Sequence, residues 1–144
     1  MQVLHLGKTN NNFWKSEKQK RAEHFFKLRE KYNSDPIFVK IRAIIDSPQD
    51  KSISSKEIPV DDKRKFLGFY EEIAIMVNSK VIKEELAFYM FGYYIIKCTE
   101  LEAFRAYIDE DKQYWGVLTR FIIKMKDYDN NILKNQFDYD KVLI

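Results

Sequence analysis

Apolar residues recur three and four positions apart along much of the chain, the spacing that gathers them on one face of an α-helix. Trp14, Phe25, Leu28 and Tyr32 make the first such stripe and predict a helix from about Phe13 to Tyr32. Thr9-Asn10-Asn11-Asn12 stands before it, and side chains of this kind favour a helix start over a helix interior. Asn33-Ser34-Asp35-Pro36 breaks the pattern: Ser34 or Asp35 can cap a second helix that holds Pro36 in its first turn and runs to about Ile45. The two helices should fold back on each other as an antiparallel hairpin.

A third helix is predicted from Asp61, with Phe66, Tyr70, Ile73 and Val77 in one stripe and Leu67 and Ala74 widening it. Asn78-Ser79-Lys80 ends it, and Val81 and Ile82 should tuck into the core at the corner. A fourth helix begins near Lys83, where Glu84 and Glu85 oppose the positive end of its dipole. From Leu86 to Ile96 no residue is charged, and 100° steps place apolar side chains right round the axis. This run of eleven residues is far short of the ~20 a bilayer needs, so burial on every side is expected instead of a membrane span. After a turn at Asp109-Glu110-Asp111, a fifth helix from Lys112 to Lys126 carries Tyr114, Val117, Leu118, Phe121 and Met125 on its core face.

The pattern thus predicts an all-α fold, a compact bundle of about five helices around a central aromatic helix, with residues 1–144 forming one domain. Residues 46–60, rich in Ser and Pro, are the long loop and the segment expected to move most. Residues 127–144 are a tail that either docks as a short helix or stays loose.

Composition sharpens this picture. The 144 residues suit a single core, and aromatics reach 15% against only four Gly and three Pro, a balance that favours long helices over a many-turned β fold. The net charge of +3 is unremarkable, but from Lys8 to Lys31 eight bases face three acids, so the basic character belongs to one end. Cys98 is the only cysteine, which excludes an intramolecular disulfide framework and a Cys-based zinc cluster. Met1 to Lys8 lacks the layout of a signal peptide, so a reducing, cytoplasmic setting is expected.

Candidate chemistry is sparse. His5 and His24 lie far apart, Cys98 sits inside a helix, and none of the four glycines forms a phosphate-cradling motif, so no catalytic, cofactor-binding or metal-ligating set is assigned. Asp127, Asp129, Asn131 and Asp138 match calcium-loop positions, but Ile132 stands where the loop's sharp turn needs Gly. Glu71 and Glu72 fall on the two borders of the third helix's stripe, where a carboxylate either ties the helix to a neighbour or meets a partner. Ile75 and Ile123 lie roughly opposite the stripes of their helices and are candidates for an apolar interface patch. Lys20, Lys27 and Lys31 line one side of the first helix and are candidate phosphate contacts, with Glu17, Glu23 and Glu30 interleaved.

The run Phe66-Leu67-Gly68-Phe69-Tyr70-Glu71-Glu72-Ile73-Ala74, the corner Asn78 to Glu85 and the aromatic end Tyr93-Tyr94-Ile95-Ile96 resemble a family of small, uncharacterised bacterial all-helical proteins, a domain of unknown function. The similarity covers roughly residues 22–105. It implies an all-α fold and brings no catalytic residue with it. The functional expectation is therefore a non-enzymatic protein-interaction module that binds a protein partner or a second copy through Glu71, Glu72, Ile75 and Ile123. The alternative is nucleic-acid binding through the basic first helix. A third reading is a small-molecule pocket near Tyr70, Glu71 and Tyr93.

Overall fold

A computed structural model describes residues 16–47 and 58–144. The proposed N-terminal cap at residues 9–12, Trp14 and residues 48–57 of the proposed mobile loop lie outside these residues. Six α-helices and no strand occur among the described residues: α1 Glu17–Ser34, α2 Pro36–Asp46, α3 Val60–Asn78, α4 Glu84–Cys98, α5 Glu102–Glu110 and α6 Gly116–Leu133. None of them is long and apolar enough to cross a membrane.

Local chemistry explains the boundaries. Ser16 and Gln19 form a reciprocal capping box at the start of α1, satisfying two backbone donors that the first turn leaves over. Asp35 ends α1 and starts α2, accepting from the Ile37 amide at 2.9 Å with Pro36 directly after it. The Asp35 carboxylate also meets Lys65 of α3 at 2.9 Å, so one short side chain fixes the hairpin corner to a third helix. Burial works to raise the pKa of Asp35, but the Lys65 bond and the Ile37 amide outweigh it and hold the group below its usual value. At the end of α3, Lys80 takes a left-handed conformation (φ 62°), letting the Val81 amide reach the Met76 carbonyl and turning Ile82 into the core.

The core is a continuous aromatic cluster. Tyr32 stacks on Phe69, Phe91 meets Phe25, Tyr32 and Phe69, and Phe38, Phe66 and Phe104 extend the contact from α2 through α3 to α5. Offset and edge-on geometries suit the ring quadrupoles, adding about 0.5–1.5 kcal/mol per pair beyond burial itself. Helix α4 packs on α6, and Gly92 lies beneath a ring of its own helix: a Cβ there would stand 2.8 Å from the Phe88 ring, with Met125 Sδ of α6 at 3.5 Å.

Three expectations change. A sixth helix, α5, lies between the two that the pattern places last. Thr99 Oγ1 donates to the Ile96 carbonyl, Leu101 is extended, and α5 starts afresh, which lets Phe104 and Ile108 return to the core where a straight helix would leave the bundle. The fifth predicted helix begins with a 3₁₀ turn at Lys112–Trp115 and continues as α6 to Leu133. That turn changes the angular phase, so Tyr114 is 75% exposed and Val117 is exposed too, not on the core face.

The α4 helix is not buried all round, because no described helix covers the side carrying Tyr89 and Tyr93, which stay 56% and 57% exposed. Between the two alternatives for the tail, it docks. Phe137 is buried against Phe88 and Tyr128, and Val142 and Ile144 rest on the core.

Candidate functional site

Ile75 and Ile123 project from α3 and α6, two helices that pack side by side, each residue pointing away from the core its helix serves. They remain 49% and 55% exposed, although side chains of this size normally contribute to a core. Glu71 stands one turn before Ile75, partly buried, and its Oε2 is buried without a hydrogen-bond partner. A buried carboxylate oxygen with no donor costs free energy until one is supplied. Glu72, the other border acid, lies on the opposite edge of α3 and faces Lys31 of α1 at 3.9 Å, both side chains about half exposed. Glu71 and Ile75 thus share one face of α3, one turn apart, whereas Glu72 turns toward α1 and Ile123 stands exposed on the neighbouring α6.

The basic stripe is less open than its spacing implies. Lys20 is 3.5 Å from Glu17, and Lys31 divides its contact between Glu72 and the face of Phe69. Pairs this exposed contribute little to stability and are readily exchanged for another anion. Lys27 is exposed.

Tyr70, Glu71 and Tyr93 do not meet in one site. Tyr70 is wholly buried, whereas Tyr93 projects from the open side of α4. Tyr70 belongs instead to a network that periodicity had filed as ordinary core. Its hydroxyl donates to the Phe91 carbonyl at 2.7 Å, so the 2.8 Å contact with Tyr32 must have the Tyr32 hydroxyl as donor. Arg42 sits over the Tyr32 ring, its guanidinium 4.3 Å from the ring centroid and Nη1 donating to the Tyr32 carbonyl in the last turn of α1. Tyr94 closes the set by donating to Asp46 at 2.7 Å.

Burial raises the Tyr32 pKa to about 12 even though the Tyr70 bond and Arg42 act downward, and it drives Tyr70 well above the ordinary tyrosine value. These groups hold their protons at neutral pH, and what they provide is fixed geometry between α1, α2, α3 and α4. A signal for the network was available in the sequence: tyrosines at core positions need partners for their hydroxyls.

Cys98 is fully buried, and desolvation pushes its thiol well above the ordinary value, the opposite of what a nucleophile needs. Asp127, Asp129 and Asn131 lie within α6, where successive side chains fan around the axis. No group of three or more His, Cys, Asp or Glu able to hold a metal occurs among the described residues.

No curated protein and no solved structure matches the chain. The model of one family matches residues 3–135, and the chain belongs to that family, described as domain of unknown function DUF4760.

Proposed function

We propose that this chain is a non-enzymatic helical interaction module that self-associates through the outer side of α3 and α6. The observation that carries this reading is the exposure of Ile75 and Ile123 on two helices packed against each other. Charge favours a second copy as the occupant. Glu71 sits one turn before Ile75 on α3, while the exposed Arg120 and Lys126 sit one turn either side of Ile123 on α6. A two-fold arrangement laying α3 of one protomer over α6 of the other sets acids against bases and isoleucine near isoleucine, the self-complementarity such symmetry demands.

Sedimentation equilibrium of the wild type and Ile75→Glu tests this. Burying one Ile contributes roughly 1.5–3 kcal/mol, and a symmetric interface counts each substitution twice. Ile75→Glu should therefore weaken the dimer at least about a hundredfold while leaving thermal unfolding of the monomer unchanged. A wild type that stays monomeric at high concentration, or a dimer indifferent to Ile75→Glu, overturns the reading.

A further inference from the structure

A cleft of about 500 Å³ opens at the end of the bundle where α1, the α3–α4 corner and α6 converge. Arg21 enters it from α1, and Lys80 and Lys83 enter from the corner. Val77 and Ile82 line it with side chains that are almost fully buried. Glu84, Glu85 and Tyr128 close the far wall.

The two acids do not cancel the three bases. Glu84 is already engaged, its Oε2 by Lys124 at 3.1 Å and its Oε1 by the Tyr128 hydroxyl at 2.7 Å. Burial, and after it the pull of Glu84, raises the pKa of Tyr128, so the phenol stays a hydrogen-bond donor to that carboxylate. The charge of Glu84 is thereby matched by Lys124, leaving Arg21, Lys80 and Lys83 against Glu85 alone.

Arg21 carries the most specific observation. Its Nε is buried with no hydrogen-bond partner, although a guanidinium N–H shut off from water ordinarily finds an acceptor. Lys80 adds to the picture, since a lysine occupies a left-handed corner position where glycine is the unstrained choice.

We infer that this cleft binds a small phosphate-bearing molecule, its phosphate held by Arg21, Lys80 and Lys83 and its organic part lying on Val77 and Ile82. A phosphate monoester is close to a dianion near neutral pH and offers three acceptor oxygens, which matches a guanidinium fork plus two point-charge lysines. A monocarboxylate would leave most of that charge unmatched. The volume lies within the range of small-molecule sites and exceeds what a bare phosphate fills, which is why an organic portion belongs to the ligand. The cleft does not involve the isoleucine face, and the two proposals stand or fall separately.

Isothermal titration of the full chain with inorganic phosphate, phenyl phosphate and acetate tests the assignment. Phenyl phosphate should bind more tightly than inorganic phosphate, and acetate should not saturate. Arg21→Gln and Lys83→Gln should each weaken phosphate binding about tenfold, one charge-assisted contact apiece, with thermal unfolding unchanged. Glu85→Gln should tighten it by removing the one unmatched negative charge. Acetate binding as well as phosphate, phosphate binding insensitive to Arg21→Gln, or no saturable phosphate binding overturns the inference. Co-sedimentation with phosphatidylcholine vesicles, with and without phosphatidic acid, identifies the source: capture by the acidic vesicles that Arg21→Gln abolishes places the phosphate on a lipid, and its absence places it on a soluble molecule.

Discussion

Replacing Tyr70 by Phe removes a single oxygen from the centre of the bundle, and the geometry says what each neighbour then loses. The Phe91 carbonyl gives up one of its bonds, while the Tyr32 hydroxyl, on a residue only 5% exposed, gives up its acceptor. Losing one hydrogen bond costs about 1 kcal/mol and stranding a buried hydroxyl adds a similar amount, so Tyr70→Phe should destabilise by about 2 kcal/mol. Tyr32→Phe should cost about half as much, because the Tyr70 hydroxyl retains the Phe91 carbonyl. It also leaves the stack on Phe69 and the Arg42 contact in place.

The double variant strands nothing, so its cost should fall clearly below the sum of the two single changes, a coupling of about 1 kcal/mol or more. Urea unfolding of the four proteins measures this through the midpoints at a common slope. Tyr70→Phe should also lower the melting temperature by roughly 4–8 °C for a domain of this length. If Tyr32→Phe proves as costly as Tyr70→Phe, or if the two changes simply add, then the donor order Tyr32 to Tyr70 to Phe91 is wrong.

The same pair makes stability depend on alkaline pH. The Tyr32 pKa is about 12 in the folded chain against 10.0 for an unperturbed tyrosine, and burial holds Tyr70 well above that value too, so the unfolded chain loses these protons first. Their contribution is intact below about pH 10 and is lost as pH climbs to about 12 and beyond, by up to about 1.4 kcal/mol per pH unit for each group. The urea midpoint should fall over that window, and a fall of equal steepness in the double Phe variant would assign it elsewhere. Gly92→Ala should destabilise by about 1–2 kcal/mol, since the new Cβ meets a Phe88 ring already wedged against Tyr128 and Phe137. Gly68→Ala, with nothing within 4 Å of its added Cβ, should instead stabilise by up to about 1 kcal/mol; equal melting temperatures for the two variants would refute the crowding of Gly92 by the Phe88 ring.

The sequence alone determined what depends on nearest neighbours and periodicity. Asp35-Pro36 set the hairpin corner because cap and first turn are local chemistry, and the stripes of α1 and α3 chose their buried faces because 3.6 residues per turn leaves one answer. Ile75, off the α3 stripe, was legible for the same reason. Tertiary structure decided the rest.

Whether α4 is enclosed depends on how many helices reach it, and none of the described ones covers Tyr89 and Tyr93. Where the chain bends after Thr99 depends on a core that Phe104 and Ile108 can return to only by turning. The Tyr32–Tyr70 bond joins residues 38 positions apart, and the Arg21, Lys80 and Lys83 cleft joins three parts of the chain with no common spacing. Periodicity reports the direction of a side chain from its own axis, but only the packed bundle fixes which other side chain it meets there.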